Sequence, residues 1–183
     1  AAKATGDMFI VVSDDFGCPA GWDEVLAEIL GDQRDVAVLV HDGMDARILT
    51  LPIVGRELYE RLGYVYHPDY ISMFCDDDLT ETARGDGKLI DARHVVFPHR
   101  HFTVGGLHFD ATYARERSRL AWLQGFRVFR KRTAVDFGRK PRTIAVRLIE
   151  ARVEAKFWCQ MALHKGKRLA MRLTGRVSDR LPD

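Results

Sequence analysis

Cysteine is scarce in this 183-residue chain, and the three present, Cys18, Cys75 and Cys159, are scattered without a Cys-x-x-Cys spacing. Such a set builds neither a disulfide framework nor a zinc knuckle. Its default setting is a reducing, cytoplasmic one. No apolar run approaches the ~18 residues of a membrane-spanning helix. Internal repeats and low-complexity tracts are also missing, which sets solenoid architectures aside. What remains, 46% hydrophobic and 30% charged, predicts a globular chain of one domain plus an appendage.

Net charge is nearly absent at +2, but the balance hides an asymmetry. Residues 1–112 carry 9 Lys and Arg against 20 Asp and Glu, a net of −11; residues 113–183 carry 19 against 6, a net of +13. The two parts call for different explanations. Residues 1–112 read as an α/β domain with a mostly parallel sheet in a three-layer sandwich, because short strand-like runs alternate with helix-like ones. Strands are expected at 8–12, 36–41, 47–53, 88–92 and 95–97, with the third at a sheet edge because of Pro52. Helices are expected from an Asp23 cap to Leu30 and over 54–62, and Ala1–Asp7 reads as the end of a helix closed by Gly6. A helix lacking its beginning suggests a fragment whose upstream half is missing. Residues 113–183 form the second part, a basic extension built on two long amphipathic helices, over 111–132 and 143–164.

Two acidic clusters carry the functional signal. Ser13-Asp14-Asp15 follows the run Met8–Val12, and Asp76-Asp77-Asp78 follows the strand-like Tyr70–Phe74. Adjacent carboxylates repel one another and resist desolvation unless a cation or a proton compensates. At strand ends, where open α/β sheets collect ligands, they point to a hard-metal or general-base site. Ser-Asp-Asp is also good turn chemistry, and Asp78 could cap the helix expected from Thr80. Of seven histidines, His99 and His101 lie two apart on an extended stretch and share a side. Trp22, Tyr64, Tyr66 and Tyr70 could stack on sugar faces or serve the core.

In three segments the chain resembles the GT-A type inverting nucleotide-sugar glycosyltransferases. The first runs from Ala4-Thr5-Gly6-Asp7 through Phe9–Val12 to Ser13-Asp14-Asp15-Phe16, then Pro19 and Gly21-Trp22-Asp23. It is similar to that family's Gly-Asp, strand, variant DxD, Pro and Gly-Trp-Asp passage. Phe74-Cys75-Asp76-Asp77-Asp78-Leu79 is similar to its Asp-x-Asp-Leu segment, and Val95–His99 with His101, Gly105-Gly106 and Asp110–Tyr113 to its late His-x-His and Asp-x-x-Tyr segment. The resemblance covers residues 1 to about 115, the C-terminal portion of such a catalytic domain. It implies a sugar transferred from a nucleotide diphosphate to an acceptor hydroxyl with inversion. Asp14 and Asp15 would bind the donor, and Asp15 with His99 would hold Mn²⁺ or Mg²⁺. Trp22 and Asp23 would meet the acceptor. Asp76 would be the general base, with Asp77 the second candidate.

Two other function classes compete. A metal-dependent phosphotransferase or nuclease would use carboxylates converging on two cations about 4 Å apart. A non-catalytic module would bind through the basic helices. Specific nucleic-acid binding is not expected of those helices, because their arginines are spread evenly. Peripheral contact with a membrane or a partner protein is the weaker expectation, beside a solvated face.

Overall fold

The computed structural model describes residues 3–100 and 111–173, with the side chains of 111–113 and 168–173 left aside. The predicted His101, Gly105-Gly106 and Asp110, and the side chain of Tyr113, lie outside the described set. The chain divides into two compact units, residues 1–68 with 76–108, and residues 69–75 with 109–183.

The first unit is α/β. Its four strands, β1 (Met8–Ile10), β2 (Ala37–His41), β3 (Ile53–Gly55) and β4 (Leu89–Val96), are ordered β1-β3-β2-β4. β3 runs antiparallel to both β1 and β2, whereas β2 and β4 are parallel. The sheet is therefore mixed, not mostly parallel. The link from β2 to β3 contains no helix, and without a crossover the chain returns antiparallel. β3 is also an inner strand, contrary to the edge position expected from Pro52. Pro52 precedes the strand, owes the ladder no N–H, and offers its carbonyl to Val11 N at 3.1 Å. The strands expected at 88–92 and 95–97 are one strand, Leu89–Val96, with a register shift between the partners of Leu39 and His41.

Alternation along β2 separates two cores. Val36, Val38 and Val40 face Leu26 and Leu30 of α1 (Trp22–Leu30). Ala37 and Leu39 face Leu58 of α2 (Arg56–Leu62) and Leu79 and Ala83 of α3 (Cys75–Gly85). Helices thus cover both faces, in the three layers expected. α1 begins not on an Asp23 cap but after Gly21, which is left-handed and gives no side-chain cap; Asp23 lies in the first turn, where a carboxylate suits the helix dipole. Lys3–Asp7 is turn and bend rather than a helix end. Arg56 holds it instead, reaching Ala4 O and Gly6 O at 2.9 Å.

The second unit is helical: α4 (Ala111–Glu116), α5 (Arg119–Ala134), a 3₁₀ turn at Asp136–Gly138, and α6 (Ile144–Leu173). The helix expected over 111–132 is broken at Arg117-Ser118 into α4 and α5, because the Ser118 side chain caps a new start by accepting from Ala121 N at 3.1 Å. The one expected over 143–164 lies within α6. Tyr70–Phe74, expected as a strand, is instead part of this unit. Phe74 sits at φ 73° with its ring 5.6 to 5.8 Å from those of Trp122, Phe126 and Phe129. Ser72 Oγ donates to Glu116 O at 2.9 Å. Gly125 permits the approach, because a Cβ there would collide with the Met73 carbonyl. For Phe74, packing among the rings of α5 outweighs strand propensity.

Candidate functional site

β1, β2 and β4 all point one way, since β3 opposes both β1 and β2. The segments leaving their C-terminal ends carry Asp15, Asp42 and His99. An antiparallel bridge between Phe16 and His99 ties the first segment to the last. It is reinforced by Gly17 N to Pro98 O and Arg100 N to Asp15 O, both 2.8 Å.

The bridge brings Asp15 and His99 together, as expected. His99 Nε2 lies 2.8 Å from Asp15 Oδ2, and Asp15 is 7% exposed. The Ser13 hydroxyl donates to the other Asp15 oxygen. Phe16 stacks on the imidazole with centroids 4.2 Å apart, which fixes the ring plane. On its far side, His99 Nδ1 is 3.9 Å from Asp42 Oδ2. Asp42 is buried and fully occupied: Oδ1 accepts from Met44 N (2.7 Å) and Asp45 N (2.6 Å), and Oδ2 from the Thr50 hydroxyl (2.9 Å). Its backbone carbonyl accepts from His99 N at 2.9 Å. Asp42 therefore both folds the loop after β2 and sets the histidine.

Asp42 was not among the residues expected at the site; in sequence it only follows the strand expected at 36–41. The signal was available, since an acid ends the most apolar strand of the chain. Asp14, beside Asp15, is exposed. Trp22, expected at the acceptor, packs against the core and edge-on to Phe97 at 6.0 Å, and Asp23 is exposed on α1.

The second acidic cluster does not end a strand. Asp76, Asp77 and Asp78 lie in the first turn of α3. Thr80 locates this turn against the loop after β2: its hydroxyl donates to Asp76 O (2.6 Å) and accepts from Leu49 N (2.9 Å). Burial pushes the Asp76 carboxyl above the usual range. Asp77 is pushed up to about 6, by burial, then by the negative charge of Asp76 and a hydrogen bond shared with it. Asp45 adds charge to both. Arg47 grips Asp45 through Nε (3.0 Å) and Nη2 (2.8 Å) and holds it below the usual range. Two close carboxylates that share a proton are matched to proton transfer near neutrality. Asp78 is not a cap; it is 1% exposed inside the helix and accepts from the Thr82 hydroxyl at 3.3 Å.

No known family profile, curated protein or solved structure matches the chain. Roles are therefore assigned on geometry.

Among the described residues, no three His, Cys, Asp or Glu side chains gather as a metal cage. The Asp15–His99 pair still fits a hard cation. Carboxylate and imidazole are both donors to divalent cations, and at 2.8 Å the two side chains are near enough that they would hold one between them. A cation held by two protein ligands takes its remaining oxygens from phosphate and water, as Mg²⁺ commonly does.

The Asp77 shift has a stability consequence. The folded chain holds a proton that the unfolded chain releases near 3.8, the ordinary value for an aspartate, so stability is greatest below that pH and falls as pH rises toward about 6. Asp77→Asn removes the penalty. It is expected to raise stability at pH 7 by about 1–2 kcal/mol, after discounting for solvent screening. Urea midpoints should converge with wild type near pH 4. Equal midpoints at both pH values would refute the assignment.

Proposed function

We propose that the chain carries the metal and base centre of a GT-A-like, inverting nucleotide-sugar glycosyltransferase dependent on Mn²⁺ or Mg²⁺. The observation that carries this reading is the Asp15–His99 contact at the ends of β1 and β4. It is supported by a carboxyl pair with raised proton affinity on the same unit. Asp15 and His99 would hold the cation, whose chemistry is to neutralise the departing diphosphate. Asp42 supports His99 from behind: its carbonyl accepts from His99 N, and its carboxylate stands 3.9 Å from Nδ1. Asp14, exposed beside Asp15, is available to the donor, and Asp23 remains available to the acceptor.

The transfer needs a proton removed from the acceptor hydroxyl as its oxygen bonds to the anomeric carbon and the carbon–oxygen bond to the diphosphate breaks. Asp76, or Asp77 as the second candidate, receives that proton. Helix α3 holds both carboxylates on its first turn.

Calorimetry tests the reading. UDP and GDP, the nucleotide portions of common sugar donors, are titrated into the protein with Mn²⁺ and again with EDTA. The expected result is binding that requires the cation and is lost in Asp15→Ala. Binding unaffected by EDTA, or an unchanged Mn²⁺ isotherm in Asp15→Ala, would overturn it.

A further inference from the structure

Helix α6 has two apolar faces, and only one is used within its unit. Val146 and Phe157 are buried, whereas Ile144, Leu148, Trp158 and Leu163 are 80%, 59%, 61% and 64% exposed. At 100° per residue, Ile144, Leu148, Ala151, Ala155, Trp158 and Ala162 fall on one stripe. Leu163 lies beside it. The stripe is flanked by Arg147 and Lys165 on one side and by Arg152 and Lys156 on the other.

The Arg152 and Lys156 flank opens into a groove of about 560 Å³ between α5 and α6. Its wall adds Arg127 and Arg130 from α5, over an apolar floor that includes Phe126 and Phe157. Arg127 stacks on Phe157 at 4.7 Å and pairs with Glu154 at 3.6 Å, yet its buried Nε has no hydrogen-bond partner among the described residues. Glu154 is itself engaged by Lys131. Four cations around an apolar trough, with one donor to spare, suit an anion joined to a hydrocarbon.

We propose that α5 and α6 dock on an anionic lipid surface. The stripe from Ile144 to Leu163 enters the acyl boundary, and the groove receives a lipid phosphate. A 30-residue helix that is apolar on one stripe and basic on both flanks lies in an interface; none of the described helices is long and apolar enough to cross one. Nucleic acid would meet the cations but has no use for an exposed Ile, Leu, Trp and Leu stripe. The net charge of +13 over residues 113–183 matches an anionic surface. This inference does not depend on the proposed transfer chemistry.

Flotation with vesicles tests it. The protein is expected to float with phosphatidylcholine–phosphatidylglycerol vesicles and not with phosphatidylcholine alone, and salt should weaken the association. Leu148→Glu with Trp158→Glu should lower partitioning at least about tenfold. Arg152→Gln with Lys156→Gln should lower it about fivefold per charge. Circular dichroism confirms that each variant is helical; Ile144→Glu, at the most exposed position, replaces a pair that is not. The proposal is overturned if anionic vesicles do not float the protein, or if the stripe variants float as wild type does. Tighter binding to a single-stranded oligonucleotide than to vesicles overturns it too, as does a dimer in sedimentation that Leu148→Glu dissociates.

Discussion

Asp76→Asn is expected to lower the rate of sugar transfer by roughly 10²–10⁴-fold, the range for loss of a general base. The substitution is isosteric, and Asp76 Oδ1 accepts from Asp77 N at 3.0 Å, which an amide oxygen can also do. The first turn of α3 should therefore survive. Mn²⁺ binding should be unchanged, since Asp15 and His99 are not touched. A second signature separates lost chemistry from lost structure. The wild-type rate should rise with pH through about 6, as the pair sheds its shared proton. In Asp76→Asn the limb should move lower, because the charge that raises Asp77 has been removed. Release of nucleoside diphosphate from a set of nucleotide sugars measures both. Near-normal turnover in Asp76→Asn with loss in Asp77→Asn would transfer the role to Asp77. Normal turnover in both would end the proposed mechanism.

Asp42→Ala should act on fold and site together. It strands the Met44 and Asp45 amides and the Thr50 hydroxyl, donors in a partly buried loop. Water can reach these half-buried donors, so the loss is that of ordinary hydrogen bonds, about 0.5–1.5 kcal/mol each, and a net loss of about 2 kcal/mol is expected from urea unfolding. His99 would lose the carboxylate charge that stands 3.9 Å from its Nδ1, and Mn²⁺ affinity should fall by about tenfold at most. Asp42→Asn keeps an acceptor for the amides and should cost about 1 kcal/mol, so the two variants separate loop folding from charge. An Asp42→Ala protein as stable as wild type would refute the account of the loop.

The parts of the fold that local sequence could specify were legible. The continuous apolar run at 36–41 and the helix-like stretches around it are local features, and the expectation of layers came from their alternation along the chain. The direction of β3 was not legible, because it depends on whether the link after β2 folds as a loop or a helix. Asp42 decides this through hydrogen bonds to residues two, three and eight positions on. The meeting of Asp15 and His99, 84 positions apart, was expected from resemblance to a family pattern, not from any local rule. The second acidic cluster was found but set on the wrong element. Tyr70–Phe74 has strand-like residues, and nothing near it reveals that Phe74 belongs among rings of α5.

That displacement of Phe74 also orders events during synthesis. β2 leaves the ribosome about fifty residues before its parallel neighbour β4, and Phe74 emerges about fifty residues before the rings it joins. At roughly 5–20 residues per second, each waits several seconds for its partner. The two units are interleaved along the chain, so neither can be finished before the other has begun. A pause in translation between α3 and α5 would therefore prolong the exposure of an unmatched aromatic ring.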